Sequence, residues 1–104
     1  MAVGDPIGDC IGFDWDESNS IKNWERHNVA PEEAEDVFFH DPLLVRSDTV
    51  HSLREQRYRA LGQTSRGRLL FIAFTVRRRL IRVISVRDMN RREAERYRWH
   101  EKNP

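Results

Sequence analysis

The spacing of apolar positions changes once along the chain, near residue 43, from a helical rhythm to an extended one. Ahead of that point, Ile11 to Trp15 is a short apolar run suited to a first strand. Asp16 behind it offers a side-chain oxygen to cap a helix running through His27. Within this helix Ile21, Trp24 and Asn28 follow the three-to-four spacing, which assigns Trp24 to the core, and Asn28 suits the left-handed conformation that ends a helix. Pro31 fits a first helical position, Glu32 and Glu33 complement the positive helix end, and Ala34, Val37 and Phe38 form one apolar face of a second, short helix. Asp41-Pro42 stops it, because the residue before proline is pushed out of the helical region.

From Leu43 onward four strands are predicted, Leu43 to Ser47, Gln56 to Leu61, Arg68 to Val76 and Leu80 to Arg87, joined by short connections as an antiparallel meander. Gly62 and Gly67 punctuate the middle turn, and Arg77-Arg78-Arg79 makes a basic tip between the last two strands. Leu69 to Phe74 is apolar at every position, so this strand is central and covered on both faces. In the last strand simple alternation puts Ile81, Val83 and Ser85 on one face, with the parity of Arg87, and Arg82, Ile84 and Val86 on the other. Asn90 caps a final helix, Glu93 is its reciprocal partner and Met89 clips onto Ala94. Only Ala94 and Tyr97 are apolar among the central positions of that helix, so it is weakly buried and available to something outside the chain. The expected fold is α+β in two layers: a short N-terminal strand, two helices, a four-stranded antiparallel meander and a C-terminal helix. Residues 1–10 read as a flexible leader, 11–100 as a single domain and 101–104 as a tail.

Composition sharpens the picture through charge. The net charge of +1 conceals a split: residues 1–48 hold 12 Asp/Glu against 3 Lys/Arg, and residues 49–104 hold 15 Lys/Arg against 5 Asp/Glu. Such asymmetry points to a polyanion as partner, or to two halves that neutralise each other within the fold. Of the 18 cations 16 are arginine, whose planar guanidinium grips a phosphate with two parallel hydrogen bonds. Three Trp, five Phe and two Tyr supply an aromatic-rich core. Cys10 is the only cysteine, which excludes an intrachain disulfide and fits a reducing compartment. No apolar run approaches the roughly 20 residues of a membrane span. A cytoplasmic location is expected.

Candidate chemistry is narrow. His27, His40, His51 and His100 show none of the close pairings of a zinc site, so neither metal nor cofactor is expected. The segment from Gly62 to Gly67 lacks the ending of a phosphate-binding loop and reads as a hairpin turn, and no serine or cysteine sits where a nucleophile would. The strands are more informative. Arg57 and Arg59 alternate with Tyr58, so both face outward on one sheet surface if Tyr58 faces the core, and Arg82, on the opposite pleat from Ile81 and Val83, is expected on the same surface. Fixed guanidinium groups on a rigid sheet, with Tyr58 or Tyr97 at its rim, suit a phosphate track with stacked bases. Cross-strand Arg–Glu pairing on a solvated face is the competing account.

These residues resemble a known family. Phe13-Asp-Trp-Asp16, Asn23-Trp-Glu-Arg-His-Asn-Val29, Glu33-Ala34 with Val37-Phe38, Asp41-Pro42, Arg57-Tyr58, Leu61-Gly62, Gly67-Arg-Leu-Leu70, Thr75, Ile81-Arg-Val-Ile-Ser-Val-Arg87, Arg92-Glu93 and Tyr97 together are similar to the BrnT toxins of bacterial toxin–antitoxin pairs, ribonucleases of the RelE-like fold. The family's Lys-His-Gly, Ser-Phe and Ser-Ala-Arg are here Arg26-His27-Asn28, Ala30-Pro31 and Ser85-Val86-Arg87. The resemblance implies metal-independent RNA cleavage, in which the ribose 2′-hydroxyl attacks the adjacent phosphate, and a cognate, BrnA-like antitoxin that masks the activity. It makes Glu55 and His27 the candidate proton carriers and Arg57, Arg82 and Arg87 the candidates for phosphate stabilisation. Arg59, Tyr58, Arg68 and Tyr97 are the candidates for RNA binding. Two further readings use the same residues: a non-catalytic RNA- or ribosome-binding module, and a structural subunit whose basic half docks an acidic partner.

Overall fold

The computed structural model describes residues 6–51 and 54–104. Its elements run β1 (Gly12–Phe13), α1 (Glu17–His27), α2 (Pro31–Val37), β2 (Leu44–Ser47), β3 (Arg57–Gln63), β4 (Leu69–Arg77), β5 (Leu80–Asp88) and α3 (Arg91–Lys102). The sheet has five strands in the order β1-β5-β4-β3-β2. β2 to β5 form the predicted antiparallel meander, and β1 joins its far edge in parallel, pairing Phe13 with Ile81. Half of the predicted leader lies outside the described residues. Within the other half, Ile7 and Cys10 pack against the core and Asp9 O accepts from Arg79 Nε at 3.0 Å, so the docked chain begins ahead of Ile11.

Local capping accounts for the helix ends. Asp16 Oδ1 accepts from the backbone N–H of Ser18 and Asn19 at the start of α1, and Asn28 closes it with φ 55°. Asn90 and Glu93 form the reciprocal box that opens α3. Helices α1 and α2 cover one face of the sheet, where Val29, Ala34, Val37, Leu70, Ile72 and Phe74 are buried. Phe74 is the aromatic hub, edge-on to Phe38 and stacked on Tyr58, both at 5.4 Å between ring centres. Helix α2 lies so close to β3 that a Cβ on Gly62 would collide with Val37.

Two expectations are overturned here. Trp24 is 54% exposed, and the buried residue of α1 is Asn23, so the apolar pair Ile21 and Trp24 faces outward. Because β1 is only two residues long, the edge of β5 beyond it has no neighbouring strand, and Asn23 Oδ1 accepts from Val86 N there at 3.1 Å. That bond sets the rotation of α1 against its hydrophobic pattern. The second correction concerns β5. Ala73 pairs with Ser85 but Phe74 pairs with Val83, so Ile84 is an extra residue in a β-bulge and the alternation reverses across it. Ile81, Val83 and Val86 therefore share the buried face, while Arg82, Ser85 and Arg87 share the other.

Candidate nucleic-acid interface

The sheet face opposite α1 and α2 is built from cross-strand rows set by the register. One row is Leu44–Leu61–Phe71–Arg87, the next Arg46–Arg59–Ala73–Ser85, and the third Arg57–Thr75–Arg82. α3 crosses the first of these: Tyr97 packs in fully buried, donating its hydroxyl to Pro42 O at 2.7 Å, and Glu101 accepts from Gln63 at 2.8 Å. The other two rows are left uncovered by α3. Ala73 and Ser85 have short side chains, so arginines flank a shallow trough in which a phosphate backbone can approach the sheet.

The arginines of this face divide by whether they form ion pairs within the fold. Arg82 is held at 3.1 Å by both Asp14 and Asp16, which ties the β1–α1 connection to β5. Arg87 grips both oxygens of Glu93 at 2.8 and 3.1 Å and lies 4.1 Å from the Phe71 ring centre, pinning the start of α3 onto the sheet. Burial pushes the Glu93 carboxyl up, but hydrogen bonds from Arg87 and the Asn90 backbone outweigh it and leave it below the usual carboxylate range. Arg46 and Arg59 differ. They sit directly opposite each other on β2 and β3, both exposed, and neither makes an ion pair among the described residues. Like charges in direct cross-strand pairing destabilise a sheet by about 0.2–1 kcal/mol.

The proposed proton carriers do not meet. Glu55 sits just ahead of β3, with Arg77 Nε and Nη2 each donating to it at 2.8 Å. Those bonds hold its carboxyl below the usual range against its partial burial, and the charges of Arg77, Arg57 and Arg82 add to the effect. His27 ends α1 beside Arg68 and Asp88, at the start of β4 and the end of β5. Arg57 is opposite Thr75, six residues further along β4 than Leu69, which puts His27 about 20 Å from the Glu55 end of the sheet. One phosphate cannot be served by both.

Three of the predicted RNA-binding residues have structural tasks instead. Arg68 donates to both oxygens of Asp88, to both of Glu33, and to the carbonyls of Asn28 and His27, clamping the α1–α2 turn to the sheet. The Asp88 and Glu33 carboxylates push its pKa above the ordinary guanidinium value. Tyr58 is on the core face, on the far side of the sheet from Arg57 and Arg59, and Tyr97 is the buried residue of α3, so neither ring is a platform for a base on this face. Arg46 is the addition that sequence did not single out. Its position on the face depends on the β2–β3 register, which the pattern of its own short strand does not reveal. Among the described residues no group of three or more His, Cys, Asp or Glu gathers as a metal site, and no helix is long and apolar enough to cross a membrane.

Two helices on one face of a mixed five-stranded sheet, and arginine rows partly covered by a C-terminal helix on the other, define a class of small α+β proteins with an open basic face. Residues 15–93 match the family described as ribonuclease toxin, BrnT, of type II toxin–antitoxin system, and the chain belongs to that family. The crystal structure of the Brucella abortus ribonuclease toxin BrnT matches with a TM-score of 0.61 and 18% identity, over 78% of this chain and 99% of that one. At such identity the likeness concerns the fold. A search among curated proteins finds no match.

Proposed function

We propose that this chain is the toxin of a type II toxin–antitoxin pair and acts as a metal-independent endoribonuclease, binding RNA across the arginine rows and cleaving it by attack of a 2′-hydroxyl on the adjacent phosphate. The observation that carries the reading is the pairing of Arg46 with Arg59 beside a trough floored by Ala73 and Ser85: two like charges in direct cross-strand register, neither in an ion pair among the described residues, are relieved by a phosphate between them. Arg57 extends the track. Arg82 and Arg87 are positioning residues, since their guanidinium groups are occupied by acids of the fold. Glu55, ionised and next to the Arg57 row, is the proposed base that takes the 2′-hydroxyl proton. As the 2′-oxygen bonds to phosphorus, the bond to the 5′-oxygen breaks and that oxygen takes a proton from water. The proposed antitoxin covers the arginine face and α3, whose outer side exposes Trp99 near Arg91 and Arg98.

The test is cleavage of total RNA by the purified chain beside Arg59→Ala and Glu55→Gln, with and without the antitoxin. The reading expects cutting by the wild type alone, at least tenfold less by each variant, and none with the antitoxin present. A second reading, an RNA-binding module without chemistry, is favoured by the bonds that occupy Glu55 and by the distance to His27. It expects Arg59→Ala to weaken binding while RNA stays intact throughout.

A further inference from the structure

Where α3 crosses the first row it leaves a groove of about 310 Å³, a size within the range of small-ligand sites. Its floor is Leu44, Leu61 and Phe71. Arg46 and Arg59 stand on the sheet side of its mouth, and Arg96 and His100, one helical turn apart on α3, stand on the other. Arg96, like Arg46 and Arg59, makes no ion pair among the described residues. Glu93, the acid of the groove, is already bonded by Arg87 and by the Asn90 backbone. Phe71 is braced by the Arg87 guanidinium on its ring.

An inorganic anion needs no apolar floor, and an apolar peptide side chain needs no three guanidinium groups at the mouth. A nucleotide uses both, because its base has apolar faces and a polar edge and its phosphate carries the charge. The backbone of β2 adds readers of that edge: as the outermost strand it has N–H and C=O groups that no neighbouring strand takes. We infer that the groove is a base-selective nucleotide subsite, with the base against Leu44, Leu61 and Phe71, the phosphate on Arg46 and Arg59, and Arg96 and His100 addressing the base edge. The inference rests on the RNA reading above and deepens it. Arg96 and His100 lie on the C-terminal helix past residue 93, where the family match ends.

The experiment is titration of the isotopically labelled full chain with each of the four nucleoside 5′-monophosphates and with ribose 5-phosphate, followed by NMR. Stacking and burial of a base give about tenfold tighter binding than ribose 5-phosphate for at least one of the four. Arg96→Ala, at an exposed position of the helix, and His100→Ala, at a half-buried one, are expected to narrow the differences among the four, with ribose 5-phosphate unaffected by His100→Ala. Leu44→Ser should remove the advantage of the base altogether. Four nucleotides that bind no better than ribose 5-phosphate, or a preference that both helix variants leave unchanged, overturn the subsite. The two proposals fail separately: RNA cleavage without nucleotide selectivity removes the subsite and keeps the nuclease, whereas selective binding without cleavage does the reverse.

Discussion

Replacing Arg59 by Gln, and separately Arg46 by Gln, should make the protein more stable and less able to bind RNA. The two residues are direct cross-strand partners, so their Cβ atoms are about 5 Å apart, and at exposed sites their charges repel by about 0.8 kcal/mol in pure water. Screening at physiological salt and splaying of the side chains reduce this to about 0.2–0.5 kcal/mol. For a domain of this size that is a rise of about 1–4 °C in Tm. The assay is a double-mutant cycle by thermal melting at low and high salt, on Arg46→Gln, Arg59→Gln and the pair. The cycle should return a repulsive coupling that shrinks as salt rises. The same variants, titrated with an uncleavable single-stranded RNA, should each lower the slope of log Kobs against log salt by about 0.7. A coupling of zero or of attractive sign, together with unchanged salt slopes, would refute the claim that the fold keeps this pair for an anion.

Arg68→Ala leaves two carboxylates and two helix-end carbonyls without their donor, and is expected to cost about 2–3 kcal/mol by denaturant titration. The Asp88 carboxyl is depressed chiefly by the Arg68 hydrogen bond, so its contribution is present above the unfolded Asp value of about 3.9 and is lost as pH falls through the lower folded value. The fall of Tm as pH drops below 4 should therefore be shallower for Arg68→Ala than for the parent. Gly62→Ala forces β3 away from Val37 and should destabilise by about 1–3 kcal/mol, read from the same titration. Arg78 holds φ 53° in the two-residue turn between β4 and β5, and Arg78→Asn should raise stability by about 0.5–1 kcal/mol because asparagine tolerates that conformation better.

What could be read from the chain was local. The ends of α1 and α3 follow from Asp16, Asn28, Asn90 and Glu93, each acting within four residues of its partner. The strands appeared because their composition differs from that of the helices, and their meander because the connections are short. What escaped was carried by contacts distant in sequence. Trp24 looked inward until the bond from Val86 to Asn23, 63 residues apart, fixed the opposite rotation. The arginines looked alike, yet Arg82 forms an ion pair with Asp14, 68 residues away, while Arg46 and Arg59 form none among the described residues, and only the register separates them. The parity of Arg87 depended on a bulge at Ile84, where neither glycine nor proline marks it.

That bulge makes the length of β5 a determinant of surface charge. Both halves of the strand are tethered, Arg82 to Asp14 and Asp16 on one side of Ile84, Arg87 to Glu93 on the other. Deleting Ile84 would restore simple alternation with both halves on their present faces, because Val83 would then be followed directly by Ser85. With Ile84 present and no bulge, regular alternation would instead turn one half over, for example pointing Arg87 into the core and Val86 outward, and would break an ion pair with a helix or its cap. The bulge is what lets a strand of this residue count keep both tethered cations on the basic face.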